Sequence, residues 1–172
     1  RFAIAASSPA AAPVTNASRT SSDGSWVRGT DGKHLSMEGT YAPGITDGVH
    51  RWMGSAAMDS AGNIALGFSA TSATMYPSIW YTGRLSNDPL GTMPQGEGVI
   101  VNGTGSNTTT NSRWGDYTSM NVDPIDDCTF WYVNQYTPVT SSAGWNLRVG
   151  SFRFSECGTP GFRLTPQPAS QS

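Results

Sequence analysis

Beyond Trp26 the chain alternates short apolar runs with Gly, Asn, Asp and Pro at intervals of about ten residues, the spacing of antiparallel strands joined by tight turns. Within the runs apolar residues recur at every second position, as at Ile64, Leu66 and Phe68 or at Cys128, Phe130 and Tyr132, which puts them on one face of a strand. Strands are predicted near 26–29, 34–41, 54–59, 64–70, 77–84, 97–102, 117–123, 128–136, 145–154 and 162–165, with almost no helix. From Ser7 to Gly24 the residues are mostly Ala, Ser, Thr, Pro and Asn without an apolar period, as in a solvated linker. Phe2 to Ala6 reads as a short apolar strand without a local partner. The organisation expected is an N-terminal strand and linker over 1–24, a β domain over 25–157, and a C-terminal linker and strand over 158–172.

The β domain contains an internal repeat. Arg51-Trp52 is followed by Met58-Asp59, the turn Ser60-Ala61-Gly62-Asn63, and the strand carrying Ile64, Leu66 and Phe68. Arg113-Trp114 opens a second copy, in which Val122-Asp123 leads through Pro124-Ile125-Asp126-Asp127 to Cys128, Phe130 and Tyr132. Matched position for position after the aspartate, these three residues take the places of Ile64, Leu66 and Phe68. An Arg-bearing strand follows in each copy, Ser78 to Leu85 and Trp145 to Phe154, and Glu97 to Asn102 closes the first as a fourth strand. Four-stranded units that cannot bury both faces alone must stack on neighbours. The fold class expected is therefore all-β, built of antiparallel four-stranded propeller-blade-like repeats. One complete unit and two partial ones are fewer than a propeller needs, so either material outside this chain completes the ring or the strands rearrange as a β-sandwich completed by a neighbouring subunit.

The segments His50-Arg51-Trp52-Met53-Gly54-Ser55, Gly62-Asn63-Ile64-Ala65-Leu66-Gly67, Tyr81-Thr82-Gly83-Arg84, Arg113-Trp114-Gly115-Asp116-Tyr117 and Asp126-Asp127-Cys128-Thr129-Phe130-Trp131-Tyr132 resemble the propeller-like repeat region of large secreted, multi-domain bacterial surface proteins with sialidase-like blades. The tail from Phe162 to Ser172 resembles the opening strand of an immunoglobulin-like module. The resemblance implies a propeller-like fold and an extracellular setting, and brings no defined activity with it.

Composition narrows the function classes. Charged residues are 13% of the 172 residues and the formal net charge is -2, so no basic surface is available for a phosphate backbone and nucleic acid is not an expected partner. The longest apolar stretches are far shorter than the roughly 20 residues of a membrane-spanning helix. Two cysteines, one lysine against nine arginines, and Asn-x-Ser/Thr sites at Asn16, Asn102 and Asn107 together suit an exported, cell-surface protein. A start at Arg1 suggests a mature product or a fragment.

The candidate chemistry reads mostly as structural. Cys128 and Cys157 are expected to form a disulfide, since no further ligand stands at metal-site spacing. Asp59, Asp123, Asp126 and Asp127 sit at predicted turns, where carboxylates accept local backbone N–H bonds; calcium binding and acid–base work are the alternatives. His34 and His50 lack a nucleophile on a strained turn. Arg51, Arg84, Arg113 and Arg148 recur in the repeat and suggest either a carboxylate grip or, once per unit, pairing with a neighbouring unit's acid or stacking on Trp52 or Trp114. Trp52, Trp114 and Trp131 are expected in the core, and Trp145 and Tyr76, beside Ser/Thr loops, on the surface. The Gly/Thr loop holding Asn102 and Asn107 is expected to be fully exposed.

Two functions follow. The first is a non-enzymatic structural or adhesive module, a subunit of a surface filament joined by terminal strands that carry Phe2, Ile4, Phe162 and Leu164. Its partners would be copies of itself or adjacent modules, with glycans as further ligands and no cofactor or metal. The alternative is part of a secreted propeller glycoside hydrolase or carbohydrate-binding protein, with Arg and Asp converging in a central funnel.

Overall fold

The computed structural model describes the backbone of residues 2–7, 35–111 and 113–158, and the side chains among them from residue 40 onward. Trp26, His34, Asn16, Phe162 and Leu164 lie outside the described residues. The fold is all-β and antiparallel, with a single helical turn among the described residues, α1 (Gly44–Asp47), between strands. Strands β1 (Phe2–Ser7) and β2 (Leu35–Tyr41) form one sheet; β3 (His50–Met58), β4 (Ile64–Ser72), β5 (Met75–Arg84) and β6 (Glu97–Val101) form a four-stranded meander; β7 (Ser119–Val122), β8 (Phe130–Tyr136) and β9 (Asn146–Phe152) form a three-stranded one. No closed ring of sheets forms among the described residues. None of their helices is long and apolar enough to cross a membrane.

Phe2–Ser7 is not left without a partner in its own chain, contrary to the sequence reading. It pairs antiparallel with β2, from Phe2 opposite Tyr41 to Ser7 opposite Leu35. Unpaired backbone donors and acceptors at a strand edge are satisfied by whichever strand can reach them, and the long connection between β1 and β2 permits that return.

The four- and three-stranded sheets stack in chain order, and each turns the same side toward the part of the chain before it. Ile64, Leu66 and Phe68 pack with Tyr41 and Val49 on the N-terminal side of the four-stranded sheet. Phe130 and Tyr132 pack with Ala65, Ile79 and Phe152 between the four- and three-stranded sheets. Large side chains of the later sheet enter sockets left by small ones of the earlier. A methyl group on Gly67 would lie 2.5 Å from the Tyr132 ring, and one on Gly83 would collide with Phe154. Tyr81 stacks on Phe152 with ring centroids 3.9 Å apart. The shared inward face of the two copies is therefore real.

The alignment of the copies differs from the position-for-position match. Met58 pairs with Ile64 across the first turn, whereas Val122 pairs with Phe130 across the second. The second turn is longer by two residues, so Phe130 stands where Ile64 does, and Cys128 belongs to the turn. An offset of two preserves the face because strand side chains alternate with period two. It also separates the arginines: Arg84 lies opposite Ile64, but Phe152 lies opposite Phe130, while Arg148 pairs with Asn134.

Aspartate carboxylates shape both turns. Asp59 Oδ1 accepts the N–H groups of Ala61 and Asn63 at 3.0 and 2.9 Å. Asp123 Oδ1 accepts Ile125 N–H, and Asp126 Oδ1 accepts Cys128 and Thr129 N–H. These are Asx-type turns, and Asp127 supplies a left-handed residue at φ 52°. Cys128 and Cys157 are disulfide-bonded with Cα atoms 5.5 Å apart. The bridge closes the β8–β9 unit from outside both strands. Ser60 joins the two turns, its N–H donating to Asp127 O at 2.8 Å and its hydroxyl lying 3.7 Å from Cys157 Sγ.

Candidate functional site

The four recurring arginines occupy separate settings. Arg51, on β3, reaches across the N-terminal side of its sheet above the Phe68 ring. Its Nε–H donates to Glu97 Oε1 at 2.6 Å and an Nη2–H to Asp47 Oδ2 at 2.8 Å. Tyr41 O–H donates to the same Glu97 oxygen. Burial alone would lower the Arg51 pKa, but the Glu97 and Asp47 carboxylates outweigh it and hold the guanidinium charged. The Arg51 bond in turn keeps Asp47 below the usual carboxylate range. Burial, and then Glu97, pushes the Tyr41 phenol up. This cluster clamps the end of β2 onto the four-stranded sheet. Arg84 is buried and donates to Asp88 O, Arg113 pairs with Asp116 in the loop before β7, and Arg148 is exposed on β9. They form no common grip on a carboxylate.

Between the two larger sheets lies a polar seam. Asn134, fully buried, donates through Nδ2 to Ser69 Oγ at 3.0 Å and to the Tyr132 hydroxyl at 2.7 Å. Trp114 Nε1–H donates to the same Ser69 Oγ at 2.9 Å, and its ring tilts against Trp52 at 5.9 Å. Tyr132 O–H in turn donates to Met53 O, at a bulge where Met53 adopts φ 51°. Such a seam satisfies every member it links and fixes the relative position of the sheets. Burial pushes the Tyr132 phenol up and keeps it a donor.

On the far side of this seam residues 107–111 and 113–117 wall off a cleft of about 440 Å³ with the start of β9. Trp145 is 53% exposed and Tyr117 84% exposed at its mouth, and Trp114 lies deeper. Trp145 and Tyr76 are thus on the surface, as their Ser/Thr surroundings suggested. Trp131 is not in the core: it is 43% exposed on the outer face of the three-stranded sheet, its Nε1–H donating to Asp123 Oδ2 at 3.0 Å. The odd positions of β8 face away from the stack, so Trp131 follows its strand outward. Val133 lies opposite Val149 on the same face, and Leu147 opposite Gln135.

The loop of Asn102 and Asn107 is also not fully exposed. Asn102 is exposed, but Asn107 is half-buried and bridges to Ser141. Thr104 and Gly105 N–H donate to Thr137 O, and Ser141 N–H to Ser106 O. The loop's backbone groups find protein partners in the 137–141 segment, which draws it down. His50 opens β3 and is exposed.

Sequence reading missed Tyr117 and the cleft itself, because its walls come from segments some thirty residues apart whose meeting has no local signal. No protein-family model, curated protein or solved structure matches this chain.

Proposed function

We propose that this chain is a non-enzymatic, extracellular structural or adhesive module whose blade-like sheets continue their stack into a neighbouring copy. The outer face of the three-stranded sheet carries the reading. Trp131, Leu147 and Val149 are 43%, 55% and 57% exposed there, an apolar surface of the kind that marks association. Within the chain the three-stranded sheet lays its Phe-bearing side on the four-stranded one, and the four-stranded sheet turns its own toward Tyr41 at the end of β2. Continued in that order, the face left open after β9 receives the β1–β2 sheet of the next copy. Head-to-tail contact of this kind builds an open filament when the rotation does not close.

Strand exchange fits the same scheme. The β1–β2 pairing of Phe2 and Ile4 with Tyr41 and Gly39 could be made between copies as a domain swap. A disulfide and an exposed Asn102 accord with an oxidising, extracellular setting.

The test is sedimentation velocity with negative-stain electron microscopy on the full chain and on Val149→Lys. Linear, concentration-dependent particles are expected from the former and monomers from the latter, with the same circular dichroism. A wild-type chain that stays monomeric, or a Val149→Lys chain that assembles unchanged, overturns the reading. Deleting residues 1–15 is expected to abolish polymerisation and leave the β content of 35–158 largely intact.

A further inference from the structure

We infer that the cleft between the 107–117 loop and the start of β9 binds a neutral oligosaccharide. Its volume of about 440 Å³ lies in the range of small-ligand sites. Three features of its wall select the ligand. The first is a set of aromatic surfaces, Trp145, Tyr117 and Trp114, two of them open to solvent although nothing in the sheet packing requires Tyr117 to be aromatic. Rings that keep one face wet offer flat apolar area together with a polar tip, and they suit the C–H face of a pyranose.

The second feature is a set of amides held in one sense. Asn107 Oδ1 accepts Thr109 N–H at 3.0 Å, Asn111 Oδ1 accepts Arg113 N–H at 3.1 Å, and Gln135 Oε1 accepts Gly115 N–H at 3.0 Å. Each oxygen is occupied by backbone, so the NH2 end of each amide remains as a donor with no partner among the described residues. Three preset donors call for a ligand with several oxygen acceptors. The third feature is charge. Arg113 and Asp116 pair with each other, so the wall presents no net charge and rewards neither a phosphate nor a carboxylate. An uncharged ligand with flat apolar faces and many oxygens is a neutral sugar chain. A proline-rich peptide shares the taste for aromatic grooves but offers fewer oxygens per unit length, so the amide donors favour the glycan.

The cleft borders the stacking face and shares Leu147 with it, and the test keeps the two readings separate by using the Val149→Lys chain as the parent. Neutral trisaccharides of glucose, galactose, mannose and N-acetylglucosamine are titrated while tryptophan fluorescence and saturation-transfer NMR are recorded. Sialyllactose and a proline-rich peptide serve as comparators. At least one neutral trisaccharide is expected to saturate. Trp145→Ala is expected to weaken it about tenfold, the loss usual for an aromatic residue that a ligand covers on binding. Tyr117→Ala, at a side chain too exposed to affect folding, is expected to weaken it to a smaller degree. The inference is overturned if no neutral trisaccharide saturates, if sialyllactose or the peptide binds more tightly, or if both substitutions leave binding unchanged.

Discussion

Strand β4 runs through the middle of the four-stranded sheet and is buried from Ile64 to Ala70 on both faces. Strand β8 holds the same place in the three-stranded sheet, yet Phe130 and Tyr132 are fully buried while Trp131 between them is 43% exposed. Neighbours account for the difference. The four-stranded sheet is covered on one side by Tyr41 and the Arg51 clamp and on the other by Phe130, Tyr132 and Phe152; on the outer side of the three-stranded sheet the 107–117 segment covers Gln135, whose Oε1 accepts Gly115 N–H, and leaves Trp131 open. The two outward-facing registers also differ in kind. Ala65, Gly67 and Ser69 are small and act as sockets, whereas the residues two places further on in the second copy, Trp131, Val133 and Gln135, are large. A surface that receives a partner through sockets cannot do so through knobs, so any sheet docking after β9 must supply its own small residues.

The comparison is broken most easily inside β8. Phe130→Ala is expected to destabilise by about 3–5 kcal/mol, the range for a buried aromatic truncated in a core, as read by urea unfolding. Replacing Cys128 and Cys157 together by Ala is expected to lose about 3–4 kcal/mol, since the bridge restrains the unfolded β8–β9 loop; reduction of the wild type should give the same shift. Gly67→Ala is expected to lose about 1–3 kcal/mol by forcing the Tyr132 ring back, while Val133→Ala, its counterpart on the open face, is expected to change little. An equal loss at Gly67 and Val133 would show that both faces are covered.

A fourth expectation concerns pH. The Thr129 hydroxyl, with the Thr129 and Cys128 N–H groups, holds the Asp126 carboxyl below its ordinary 3.8. Its folded pKa is therefore lower than its unfolded one, so its stabilisation is complete above about pH 4 and fades as pH falls through the folded value. Asp126→Asn should flatten the acid limb of a stability–pH curve, by a small amount because the group is solvent-screened. The smallest effect belongs to Trp131→Ala, expected to shift the stability of the monomer by about 0.5 kcal/mol or less. A loss near that of Phe130→Ala would mean that the outer face is covered after all.

Much of this architecture was legible in the chain itself. Alternation over Ile64–Phe68 and Phe130–Tyr132 marked the strands and their buried face, because side-chain direction in a strand depends only on the parity of the position. The aspartates at 59, 123 and 126 marked turns, since a carboxylate reaches N–H groups two to four residues away without help from the rest of the fold. The pairing of Cys128 with Cys157 followed from there being no other thiol and no set of metal ligands nearby. Other features needed the packed molecule. Turn length set the two-residue offset between the copies, and only strand pairing reveals it. Phe2–Ser7 found its partner across residues 8–34, and nothing in either strand alone specifies that meeting. Trp131 looked like core because tryptophan is apolar, but its exposure depends on whether a further sheet lies against it. The cleft of Tyr117 and Trp145 exists because backbone bonds between residues 104–108 and 137–141 bring two distant loops together. Local stereochemistry is written residue by residue, whereas the choice of partner is a competition among all the surfaces of the folded chain.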